Sequence, residues 1–160
     1  MNHFADQTTL EGRYRLFLLA LAAALCIGTP TELWLTGHTD SPLQWIPFAL
    51  CGLGSLAIAV AWLRPSRRTL RSLQAAMVLL FAGAALGSFE HYEHNVELAL
   101  EIRPGAVLSD VLFEAMKGAN PLLAPGVLAL AALLGLAAVY RHPLMGPQDG
   151  AASIRETSLA

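Results

Sequence analysis

Four long apolar stretches leave this chain few folds to choose from. A hydrocarbon core about 30 Å thick takes about 20 apolar residues of helix to cross. Four segments meet that length: Tyr14–Leu35, Leu43–Leu63, Leu70–Phe89 and Leu122–Tyr140. Each is apolar all round, as a span is, and not along the single stripe of an amphipathic soluble helix. Together they occupy roughly half the chain, which leaves little for a soluble domain. Composition agrees: 55% of residues are hydrophobic and 14% charged, against about 25% charged in soluble domains. That is too little charge to cover the surface of a free cytosolic enzyme. The net charge of −2 offers no overall basic footprint, so nucleic acid is not an expected partner. The expectation is an all-α membrane protein, a four-span antiparallel bundle over residues 1–145 with a flexible polar tail over 146–160.

The first segment imitates a cleaved signal peptide, with Arg13 and Arg15 ahead of Leu16–Leu25 and a lipoprotein-like Ala23-Ala24-Leu25-Cys26. Leu25 stands where such a site needs a small residue, and the apolar run continues through Trp34 and Leu35. It reads as a retained span.

Direction follows from the basic residues. Arg13, Arg15, Arg64, Arg67, Arg68, Arg71, Arg141 and Arg155 fall on one side, eight of the ten basic residues. That side is expected to be cytoplasmic, with both termini. Anionic headgroups are a further attraction for the arginine-rich connection. Tyr14, Trp62 and Tyr140 mark the inner boundary, and Trp34, Trp45 and Tyr92 the outer one, as an aromatic belt requires.

Outside, Thr36–Ser41 is short enough to make a hairpin of the first two spans. Pro47 near the start of the second gives it a tight start or a kink. Glu90–Ile102 lacks Gly and Pro, so the third helix should continue beyond the membrane until Arg103-Pro104-Gly105 turns it. Val107–Lys117 has apolar residues one, three and four apart, which predicts a short interfacial helix ending at Gly118. Asn120-Pro121 then opens the fourth span, with Pro125-Gly126 inside it.

Chemistry-bearing residues gather at the outer end. On a helix, Glu90, His94, Glu97 and Glu101 share a stripe about 60° wide that Gly83 and Gly87 continue, so it is expected to face another helix. Glu32 is an acid near the end of an apolar span, a functional candidate by default; His38 follows it. Glu32, His38, Glu90, His91 and His94 form a candidate metal-ligand set, with Asn95, Glu97 and Glu101 as secondary members. Imidazole and carboxylate suit Zn, Fe, Mn or Cu. Haem needs histidines on facing helices, and only His38 with His91 or His94 offers that. The competing reading makes the cluster a polar network or a solvated helix face. Cys26 and Cys51 lack a C-x-x-C spacing and read as buried packing thiols. His91-xxx-Asn95 resembles one motif of CAAX-type intramembrane glutamate proteases, but the Glu-Glu-xxx-Arg motif is absent from the sequence.

Several short motifs together resemble a group of small bacterial four-span membrane proteins without an established activity. They are Glu32-Leu33 with His38, Gln44 and Ile46-Pro47, His91-xxx-Asn95-x-Glu97, Pro121-xx-Ala124-Pro125-Gly126, and Arg141-His142-Pro143. The resemblance implies a bacterial inner-membrane protein and supplies no reaction or ligand. Three functions follow as expectations: a non-enzymatic subunit or accessory of a membrane assembly, partnered by another membrane protein or by itself; a metal-binding membrane protein; or a proton-coupled carrier working through Glu32.

Overall fold

The computed structural model describes residues 10–122 and 124–146. His3, Arg155 and nearly all of the expected C-terminal tail lie outside the described residues. Among the described residues five α-helices form: α1 (Leu10–Leu35), α2 (Ile46–Leu63), α3 (Arg67–Ile102), α4 (Leu108–Ala115) and α5 (Gly126–Val139). No strand occurs among the described residues. By length and composition α1, α2 with its lead-in turn from Pro42, and α3 are each able to cross a membrane; α5 is apolar but shorter.

The boundaries have local causes. Gly37, at φ +70°, ends α1 in the left-handed conformation that glycine takes without strain. His38 N–H then bonds the Leu33 carbonyl at 2.8 Å and Gly37 N–H the Trp34 carbonyl at 3.2 Å, closing a Schellman cap. Pro47 falls at the start of α2 and makes the tight start. Ser66 and Thr69 exchange side-chain-to-backbone bonds at 3.1 and 2.9 Å, which starts α3 as a capping box. Nothing then interrupts α3 for 36 residues, about 54 Å at 1.5 Å per residue.

α1, α2, α3 and α5 close into a ring in which each helix runs antiparallel to its two neighbours. α5 packs against both α1 and α3, and α2 against both from the other side. α1 and α3 occupy one diagonal, and their backbones are not neighbours. Small residues fill the contacts: Ala22, Gly54, Ala61, Ala76, Ala84, Ala131, Ala132, Gly135 and Ala138 are buried. A Cβ on Gly135 would lie 2.4 Å from Met77 Sδ and one on Gly54 3.3 Å from Cys26 Sγ. Larger side chains such as Leu56, Leu79, Phe81, Leu130 and Leu133 stand exposed on the outside. This is the arrangement of helices that associate by close packing in an apolar solvent.

The fourth apolar segment differs from expectation. Helix was expected from Leu122, but α5 starts at Gly126. Pro121 and Pro125 cannot donate backbone hydrogen bonds, and Pro125 biases the preceding residue away from helix. At its other end α5 stops at Val139, and Arg141 follows with φ 47°. Arg15 of α1 reaches across to the orphan carbonyls there. Its Nη1 donates to Ala138 O at 2.8 Å and to Tyr140 O at 2.9 Å. Nη2 pairs with Glu11 one turn earlier and leans toward Arg141 O at 3.4 Å. A cation at a helix C-terminus satisfies both the carbonyls and the dipole.

Arg15 is buried while Arg13 is exposed, so the two arginines separate a structural role from a charge effect. Arg15→Ala should lower stability in mild detergent by about 2 kcal/mol, because buried carbonyls lose their donors. Arg13→Ala removes the same charge from the same end and should change it by less than about 0.5 kcal/mol. Thermal unfolding of the two variants side by side reads the difference; equal losses would reject the capping role.

Candidate functional site

At the end where α1 stops and α3 extends, the site is built on one ridge of α3. Gly83, Gly87, His91 and Asn95 follow at intervals of four. Because 3.6 residues make a turn, such a ridge drifts by about 40° at each step. A Cβ on Gly83 would lie 2.2 Å from Leu50 Cδ1 of α2, and one on Gly87 3.2 Å from Pro125, where the chain enters α5. The next two residues on the ridge carry polar side chains, and these meet the non-helical chain between α4 and α5.

His91 Nδ1 lies 2.8 Å from the Pro121 carbonyl. A carbonyl only accepts, so Nδ1 carries the proton of this bond. Asn95, 2% exposed, donates from Nδ2 to Ala115 O at 3.0 Å and to Asn120 O at 2.8 Å. Its Oδ1 accepts from Asn120 N–H at 2.9 Å and from Asn120 Nδ2 at 3.2 Å. Two donors and two lone pairs are all that a carboxamide has, and here all are engaged. The chain crosses the amide closely: a Cβ on Gly118 would sit 2.3 Å from Asn95 Cγ. Tyr92 Oη donates to Leu112 O at 3.2 Å and Arg103 pairs with Glu114, which fastens α4 to the same helix.

The other candidate residues lie elsewhere. Glu90 is half-buried, while Glu93, His94, Glu97 and Glu101 are exposed. His94 Nδ1 and Glu97 Oε2 are 3.5 Å apart with side chains 77% and 67% exposed, a separation too long and too wet to stabilise much. The expected inward orientation of the Glu90–Glu101 stripe is therefore not what forms. The contact line drifts from the glycines onto His91 and Asn95, and α4 covers that face and leaves the acids outside. Glu32 is exposed in the last turns of α1, and His38 is half-buried in the turn after it. Their helix lies diagonal to α3. Among the described residues, no three His, Cys, Asp or Glu side chains come together as a metal-binding group. Cys26 and Cys51 are free and buried in the bundle.

Sequence reasoning undervalued two residues. Arg15 reads as a topology signal, yet it is a buried cap; its spacing of four from Glu11 was the available hint. His142 is 2% exposed, and its Nδ1 accepts the Leu144 N–H at 3.2 Å, which shapes the turn after α5. Its position before a proline carried no signal of burial.

No known protein family, curated protein or solved structure matches the chain.

Asn95→Leu keeps the branched shape with a larger volume, deletes four hydrogen bonds, and should cost at least about 2–3 kcal/mol. His94→Ala, one residue earlier on the exposed side, should cost less than about 0.5 kcal/mol. Unfolding in mild detergent measures both, and a tolerant Asn95 would show that the connection holds its shape without the amide.

Proposed function

We propose that the chain is a four-span protein of a bacterial inner membrane, both ends cytoplasmic, serving as a non-enzymatic subunit or accessory of a membrane assembly. The bacterial setting comes from the motif resemblance alone. Three spans are α1, α2 and α3. For the fourth, the register of α5 on α3 is the support: Pro125 lies against Gly87 and Gly135 against Met77, ten residues along each chain. Extended at that register, Pro121–Arg141 runs beside Arg71–His91, a length of about 30 Å, which is the thickness of a hydrocarbon core. Arginines cluster at one end of this length and acids at the other, which supports the orientation.

One observation carries the subunit reading. The buried polar side chains Arg15, Asn95 and His142 all hydrogen-bond to backbone, and Asn95, with Tyr92 and the Arg103–Glu114 pair, holds a platform of α3 and α4 beyond the bundle. The polar chemistry builds a shape, and the shape presents an exposed acidic face with Glu93, Glu97 and Glu101. A partner's basic segment complements such a face.

The test is quantitative co-purification in mild detergent at native expression, with metal analysis of the same sample. A companion at fixed stoichiometry is expected, lost from the Glu93→Gln, Glu97→Gln, Glu101→Gln variant whose unfolding temperature is unchanged. A lone chain holding one transition metal, released by His94→Ala, would replace this reading with the metal-binding alternative. Cysteines placed at Ser66 and Ser109, both exposed, should react with impermeant thiol reagents from opposite sides of the membrane.

A further inference from the structure

The connection between α2 and α3 and the first turns of α3 carry Arg64, Arg67, Arg68 and Arg71, four cations within eight residues, all exposed. No ion pair to any of them occurs among the described residues, where Arg15 and Arg103 hold the acids that arginines engage. None is available in sequence either: no Asp or Glu lies between Asp40 and Glu90. Arg13 and Arg141, exposed at the same end of the bundle, add to the charge. Like charges at i and i+4, as in Arg67/Arg71 at the start of α3, repel on a helical surface, so the cluster is unfavourable until an anion comes between its members.

The neighbouring residues say which anion. Immediately before Arg64, Val60, Trp62 and Leu63 are exposed, and these apolar side chains lie on the outside of the bundle where lipid tails would surround them. A ligand that meets both features has a phosphate within reach of the arginines and an acyl chain alongside Trp62. We propose that the α2–α3 connection is a binding surface for anionic phospholipid of the cytoplasmic leaflet, with Arg64, Arg67, Arg68 and Arg71 holding the headgroup. Guanidinium groups match phosphate oxygens in a two-pronged geometry, and a cluster of four to eight Lys or Arg just cytoplasmic of a span is a recurring form of headgroup recognition. This inference rests on the membrane orientation proposed above and adds a lipid class to it.

Trp62 provides a local readout. Trp34 and Trp45 belong to the opposite end, so a Trp34→Phe, Trp45→Phe protein reports from Trp62 alone. It would be reconstituted in vesicles of phosphatidylcholine with a minor fraction of phosphatidylglycerol, and the bromine label would be placed on the acyl chains of one lipid or the other. Quenching at equal mole fraction should favour brominated phosphatidylglycerol about fivefold, the effect of roughly one net arginine–headgroup contact. The preference should fall to about one in the Arg64→Gln, Arg67→Gln, Arg68→Gln, Arg71→Gln variant. Should that variant fail to insert, the parent protein in about 1 M salt, where the screening length is about 3 Å, should lose the preference instead. Equal quenching by both lipids overturns the proposal while leaving the membrane reading intact, and a preference that survives both the variant and the salt overturns it too. Absence of quenching by either lipid would reject the membrane reading itself, and the lipid site with it.

Discussion

Backbone that is not in a helix must find hydrogen-bond partners, and nearly everything distinctive in this structure answers that demand for the fourth apolar segment. Pro121 and Pro125 prevent α5 from starting where the apolar run starts, so Asn120–Pro125 satisfies only part of its own backbone, as where the Ala124 N–H bonds the Pro121 carbonyl at 3.1 Å. In water the solvent would satisfy the rest. Beside a bilayer it cannot, and each unsatisfied group there costs several kcal/mol. His91 and Asn95 supply the partners from α3. At the opposite end Arg15 supplies them from α1. A short helix is thus pinned at both ends by side chains from the two helices it packs between.

Packing explains why those two helices are the ones that reach it. The ring order places α5 between α1 and α3, and small residues let the three backbones approach closely. Helices in lipid gain little by hiding leucine from lipid, so close contact and hydrogen bonds decide which faces meet. The same order separates α1 from α3 along a diagonal. Glu32 and the α3 histidines lie at the same end of the molecule yet on helices whose backbones are not neighbours, and that placement parts a ligand set that looked contiguous along the sequence.

The helices were legible because their causes are local: continuous apolar runs, Gly37 after α1, Ser66 before α3, and the absence of Gly and Pro from Glu90 to Ile102. The fourth segment was legible as apolar but not as a short helix with an irregular entry, because that depends on whether α3 can replace the missing backbone donors. The stripe through Glu90, His94, Glu97 and Glu101 came from treating the glycine face as continuing straight along the helix axis. Real contacts follow the ridge of every fourth residue, whose drift of about 40° per step moves them from Gly87 to His91 and Asn95. Asn95 was found for another reason, its spacing from His91. Spacing alone could not distinguish a catalytic pair from two side chains holding one loop, since both uses favour neighbours one turn apart.

That ambiguity bears on how a polar residue near a span is interpreted. An ionisable or amide group in an apolar segment is a functional candidate by default, because desolvating it without return is unfavourable. The return can come from the chain itself. Arg15 and Asn95 are both buried, and the oxygens that accept from them are carbonyls at and just past the end of α5 and in the chain that leads from the end of α4 into it. A proline-broken span therefore predicts polar residues on its neighbours at the height of the break. Only polar groups left over after that need is met call for a ligand to explain them. Here the leftovers lie on the outside: arginines at one end of the bundle and carboxylates at the other.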